Sequence, residues 1–239
     1  MKRIATLTSF LIRDLSRSMA AIVPLACALA FGIIAFEYGM DQAQFIVVAG
    51  VGMGAICLTT ILVLASRSNR ASSYLLVARL ERRSELLAAL VLSSLAITAA
   101  LTLFITIANL LTGRLTLEFP SALWIPPTWL PLWLLAATLA LPLSGLVGRG
   151  GSHLMGYALL TGLLIANDRR ASLIRAGMGW LSQMVSAVFW PVSTLLGQAS
   201  AGSHGKDYIL AWALTCAYAI LLFALAAALF KDKDLLWSE

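Results

Sequence analysis

Charge is what this chain has least of. Only 12% of its 239 residues are Asp, Glu, Lys or Arg, against 60% hydrophobic; a soluble domain carries about twice that charge. The uncharged stretches run 18–36, 42–66, 86–113, 119–148, 150–167, 176–205 and 208–230. A helix rises about 1.5 Å per residue, so about 20 residues cross a hydrocarbon core of about 30 Å. The shortage of charge therefore excludes a soluble globule. It predicts an all-α integral membrane protein, one transmembrane domain over residues 1–239.

Reactive side chains are as scarce. Cys27, Cys57 and Cys216 all fall in apolar runs, where small buried residues are the expected reading, not a disulfide framework. Two histidines, without Cys, Asp or Glu at ligand spacing and without an HExxH, predict no metal and no cofactor in this chain. No GxxxxGK[ST] occurs, and the nearest stretch, GQASAGSHGK, lacks the lysine and hydroxyl at the needed spacing. ATP hydrolysis by this chain alone is not expected. The first 17 residues hold Lys2, Arg3, Arg13 and Arg17 and no apolar core of a removable signal peptide. The net charge of +6 fits loops anchored on the cytoplasmic side, not a nucleic-acid partner.

Basic loops orient the runs. With the N-terminus inside, spans are predicted at 19–36, 44–65, 86–112, 129–148, 152–167 and 209–230. Asp168, Arg169, Arg170 and Arg175 cannot sit at mid-bilayer, where the four would cost on the order of 10 kcal/mol. The chain is expected to surface there, and 170–200 is read as an extracellular re-entrant helical hairpin broken at Pro191. A seven-span layout is the alternative. The six-span layout places 12 of the 17 Lys and Arg inside (2, 3, 13, 17, 67, 70, 79, 82, 83, 149, 231 and 233). It leaves 114, 169, 170, 175 and 206 outside. Trp124, Trp129, Trp133, Trp180 and Trp190 then fall on or near the outer side, where indoles anchor in headgroups; Trp237 follows the last span inside.

Two amphipathic pieces stand out. In residues 1–17, Ile4, Leu7, Leu11 and Leu15 share one helical face, with Lys2, Thr6, Ser9, Arg13 and Arg17 on the other. Such a helix rests on the inner surface, its basic side toward anionic headgroups. Between spans two and three, over 67–84, Tyr74, Leu75, Ala78 and Leu80 stand among Arg70, Ser72, Ser73, Arg79, Arg82 and Arg83. That is too polar for a crossing, and it suits either a short helix offering an apolar side to a soluble partner or an ordinary positive-inside loop.

Together these stretches resemble a known family. An N-terminal surface helix, six spans and "RSNRASSYLLVARLERRSELLAALVL" are similar to the membrane-spanning permease subunit of a type-2, exporter-type ABC transporter. "SSYLLVARL" stands where that family has a leucine-rich coupling turn, and "RRSELLAALVL" where it begins span three. "VSAVFWPVSTLLGQAS" resembles its external hairpin, with Trp190, Pro191, Ser193 and Thr194 as pathway residues, and "LFKDKDLLW" resembles its tail. The chain departs from the pattern in having Ser68, Asn69 and Ala71 where an acidic residue and a glycine open the coupling segment.

The resemblance implies a separate ATPase subunit that binds ATP and Mg, and a second permease, identical or homologous. It implies an inner (plasma) membrane location with both termini cytoplasmic. Arg70, Ser73, Tyr74, Leu75, Arg79, Arg82 and Arg83 would carry the coupling to the ATPase.

Two rival classes are a non-transporting scaffold subunit and an intramembrane hydrolase. The hydrolase is disfavoured because adjacent Ser152 and His153 point about 100° apart on a helix, and His204 lies at the other face. The polar residues of the bundle are Gln44, Asn109, Ser144, Thr161 and Asn167, and no span carries an Asp, Glu, Lys or Arg at its midplane. Ion-driven carriers need such groups. Their lack favours ATP-driven export of a hydrophobic or amphipathic cargo, along a path at a dimer interface.

Overall fold

The computed structural model describes residues 2–69, 83–147 and 179–231. Predicted span 152–167, with Thr161 and Asn167, lies outside the described residues, as do Ser152, residues 70–82 of the coupling segment and Trp237. Among the described residues the chain is all helical: α1 (Lys2–Ser16), α2 (Ile22–Tyr38), α3 (Gln42–Ser68), α4 (Arg83–Leu111), α5 (Ile125–Leu143), α6 (Gly179–Ser200) and α7 (Lys206–Lys231). Single 3₁₀ turns, Met19–Ala21 and Ser121–Trp124, lead into α2 and α5. Five of these stretches are long and apolar enough to cross a membrane: Met19–Glu37, Gln42–Ser68, Arg83–Leu111, Ser121–Leu143 and Lys206–Lys231. They give the chain the character of a multi-pass membrane protein, and they overlap the predicted ranges 19–36, 44–65, 86–112, 129–148 and 209–230.

The helix ends explain the boundaries. Asp41 caps α3, its Oδ1 accepting from the Gln44 backbone N–H at 2.7 Å. Pro126 and Pro127 fall in the first turn of α5, where a missing N–H leaves nothing unpaired. The returns at the end opposite the termini turn on Gly39 and Gly113, with φ of 60° and 68°. There Met40 N–H donates to the Arg114 carbonyl at 2.9 Å, and Gln42 Oε1 accepts from Glu118 N–H at 2.7 Å.

The core is built on α3 and α5. α5 packs most extensively against α3 and α7, α3 also holds α4, and α2 leans only lightly on α3 and α4. Glycine decides where α3 and α5 close. Gly50 and Gly54, one turn apart, receive the indoles of Trp129 and Trp133, which stack at 5.5 Å. Trp129 Nε1 donates to the Ile46 carbonyl at 2.9 Å. Both tryptophans are buried (5% and 7% exposed), so they are core residues and not the headgroup anchors predicted. Trp124 and Trp180 do remain largely exposed.

Most hydroxyls inside the bundle are satisfied locally, with Thr98 Oγ1 buried and without a partner among the described residues. Thr60, Ser93, Thr102 and Thr215 each donate to the carbonyl four residues back, at 2.7–2.8 Å. In a bilayer core no water replaces such bonds. Asn109 is buried and does the same, its Nδ2 donating to the Ile105 carbonyl at 2.9 Å. Ser144 donates to Leu141 at 2.6 Å. Gln44, predicted as a polar handle of the bundle, is instead exposed.

α1 has the predicted two faces, with a different partner for the apolar one. Leu11 and Leu15 are buried and Ile4 and Leu7 half-buried, because α1 packs on α4. The apolar stripe is used by the protein itself.

Candidate functional site at the basic end of the bundle

One end of the bundle gathers α1, the start of α2, the end of α3, the start of α4 and the end of α7. Of the predicted coupling residues, Arg70, Ser73, Tyr74, Leu75, Arg79 and Arg82 lie outside the described residues. The two stems of that segment are described, and each is tied down by an arginine.

At the α3 stem, Arg67 donates from Nε and Nη2 to Asp14 Oδ2, at 3.0 and 2.7 Å. The pair is partly exposed, 21% and 41%, and contributes on the order of 0–1 kcal/mol. Its effect is positional: it fixes α1 to the end of α3. Asp14 was not singled out from the sequence, although it is the one acidic residue among the first 36. That solitary charge in a basic helix was the available signal.

At the α4 stem, Arg83 Nη1 donates to the carbonyls of Phe230 and Lys231, at 3.1 and 3.3 Å. Its guanidinium stands 5.8 Å from the ring centre of Phe230, which is fully buried. The last carbonyls of a helix have no partner within it, and its C-terminal dipole favours a cation. Arg83 therefore closes the last helix, a structural role that the predicted coupling role did not include. Glu85, in the first turn of α4, has a buried Oε2 with no hydrogen-bond partner among the described residues.

α6 runs unbroken from Gly179 to Ser200 with Pro191 inside it. The predicted break at Pro191 is corrected: proline removes one N–H, and flanking turns keep the helix going. Pro191, Leu195, Leu196 and Ala199 are buried, and Leu196 closes on Gly50 of α3. Trp190 and Ser193 are exposed and Thr194 half-buried; Ser193 Oγ donates to the Trp190 carbonyl at 3.3 Å. His204 stacks on Trp124 at 4.3 Å and meets Tyr208 edge-on at 5.1 Å, while Tyr208 OH lies 3.0 Å from Thr128 Oγ1. This aromatic clasp joins α5 to α7.

Between α4 and α5, under the loop 112–124, lies a groove of about 600 Å³. Thr102, Leu103, Thr106, Phe119, Trp129 and Trp133 are among its walls. Both threonine hydroxyls are bonded to their own helix, so the groove offers hydrocarbon and aromatic surface. It suits an apolar chain.

No known protein family, curated protein or solved structure matches this chain. Among the described residues no group of three or more His, Cys, Asp or Glu is placed to hold a metal ion.

Proposed function

We propose that this chain is the permease subunit of a type-2, exporter-type ABC transporter, moving a hydrophobic or amphipathic cargo out of the cytoplasm or inner leaflet. A separate subunit binds ATP and Mg and hydrolyses the nucleotide; a second permease, identical or homologous, completes the path. The observation that carries the reading is the bracketing of residues 70–82 by Arg67 and Arg83, bonded to the first and last described helices. A displacement of that segment by a motor would reach α1, α3, α4 and α7 together. The hydrocarbon-lined groove between α4 and α5 supports the apolar cargo class.

In this proposal the chain crosses the plasma membrane six times with both termini cytoplasmic. α6 supports a different fifth crossing from the range 152–167. Its C-terminal end joins α7 through five residues, 201–205, and it packs along α7 and α3. Its 22 residues span about 33 Å, the length of a crossing, although α6 is less apolar than the five membrane-length stretches. With α6 as the fifth crossing, Arg114 and Lys206 alone, of 17 Lys and Arg, lie on the outer side. That distribution obeys the positive-inside rule better than an outer hairpin does.

The test is replacement of Tyr74 and Leu75 by Asp in the chain co-purified with its ATPase. Membrane insertion should persist while cargo-stimulated ATP hydrolysis is lost. Unchanged hydrolysis removes the coupling role, and absence of any co-purified ATPase moves the chain to the scaffold class.

A further inference from the structure

A second surface at the basic end faces away from the bundle. On α1, Ala5, Thr8, Ser9, Ile12, Arg13 and Ser16 line one side of a cleft of about 720 Å³, and Leu92 of α4 forms the other wall. Spacings of three and four residues place those six on a single flank of the helix. That flank is not the one buried on α4, which belongs to Leu11 and Leu15.

We propose that this cleft binds the headgroup of an anionic phospholipid. The inference is independent of the transport reading. Its charge is one-sided. Arg13 is exposed, and the neighbouring acid, Asp14, is already bonded to Arg67; among the described residues no acidic side chain lines the cleft. A planar guanidinium recognises a phosphate through paired, charge-assisted N–H···O bonds.

The cleft also holds an unmet hydrogen-bonding group. Thr8 Oγ1 is buried and has no partner among the described residues. Rotation of the Thr8 side chain about χ1 would turn this hydroxyl toward a phosphate or ester oxygen in the cleft, satisfying a group that is otherwise costly to bury. Ser9 adds an exposed hydroxyl, whereas Ser16 is engaged, donating to the Arg13 carbonyl at 3.0 Å.

The remaining walls are oily. Ile12 is half-buried and Leu92, on α4, is 47% exposed. An anion joined to a hydrocarbon tail therefore fits better than a soluble anion. Arg13 and the hydroxyls take the head, and the tail descends along Leu92 and Ile12. A basic amphipathic helix at the end of a membrane bundle lies at the depth where such heads are found.

The test uses the purified full chain in detergent, with Tm read after addition of phosphatidylglycerol, phosphatidylcholine or inorganic phosphate. Phosphatidylglycerol should raise Tm by several degrees more than phosphatidylcholine, and inorganic phosphate should not reproduce the shift. Arg13→Gln should lose at least half of the phosphatidylglycerol increment and Thr8→Val a smaller part. Arg17→Gln, one residue past the end of α1 and outside the cleft, should keep it.

Equal responses to the two lipids would overturn the proposal, as would a full increment in Arg13→Gln. An equal loss in Arg17→Gln would mean a diffuse basic field and no site. A full shift from inorganic phosphate would mean a soluble-anion site. Should Arg13→Gln fail to fold, Thr8→Val and Arg13→Lys, which keeps the charge without the fork, are read in its place; a full increment in both also sinks the site.

Discussion

The Arg83 guanidinium reaches across 147 positions of sequence to the Phe230 carbonyl, so that the start of α4 holds the end of α7. Two carbonyls accept from one nitrogen there, beside the face of a fully buried ring. Hydrogen bonds to a charged donor contribute about 1.5–3 kcal/mol each where desolvated, less where water competes. Arg83→Gln is expected to lower stability in detergent by about 1–2 kcal/mol and to fray the last turn of α7. Thermal unfolding, with hydrogen exchange at residues 227–231, checks this; protection equal to wild type would exclude the clasp.

The two stacked tryptophans make opposite predictions. Trp129 Nε1 has an acceptor in Ile46, whereas Trp133 Nε1 is buried with none among the described residues. Trp→Phe leaves a similar cavity at either site, but at Trp129 it also removes a bonded N–H, which costs about 1 kcal/mol more. Trp129→Phe should therefore destabilise by about 1 kcal/mol more than Trp133→Phe. Thermal melts of the two variants side by side decide, and a reversed order would refute the assignment.

Gly52 holds α3 close to α2. A Cβ there would stand 2.5 Å from Phe31 Cε2, so ring or helix must give way. Gly52→Ala is expected to cost about 1–3 kcal/mol through overpacking, and to be partly rescued by Phe31→Ala. A double-mutant cycle measures the coupling; strictly additive effects would place Phe31 elsewhere.

The course of α6 gives a topological prediction. If α6 is the fifth crossing, a cysteine at Ser172 should react with an impermeant thiol reagent only from the cytoplasmic side, and one at Ser203 only from outside. Labelling of both from outside would restore the external hairpin.

Some of this was present in the one-dimensional text. Five of the six spans predicted from uncharged runs coincide with membrane-length helices, because crossing a bilayer depends on residue-by-residue transfer energies summed along about 20 neighbours. The two faces of α1 followed from a 3.6-residue period for the same local reason. The site was less legible. Arg83 looked like a member of a basic cluster, and only folding supplied the carbonyls of Phe230 and Lys231. Asp14 had no visible partner until α1 lay beside Arg67.

Trp129 and Trp133 show where the local rule stops. An indole near a span end is stable either in headgroups or against a helix that leaves room for it. The space is provided by Gly50 and Gly54, about 80 residues earlier, which nothing adjacent to the tryptophans encodes. Which helices exist was thus a property of the sequence, whereas which faces meet depended on distant side chains brought together by packing.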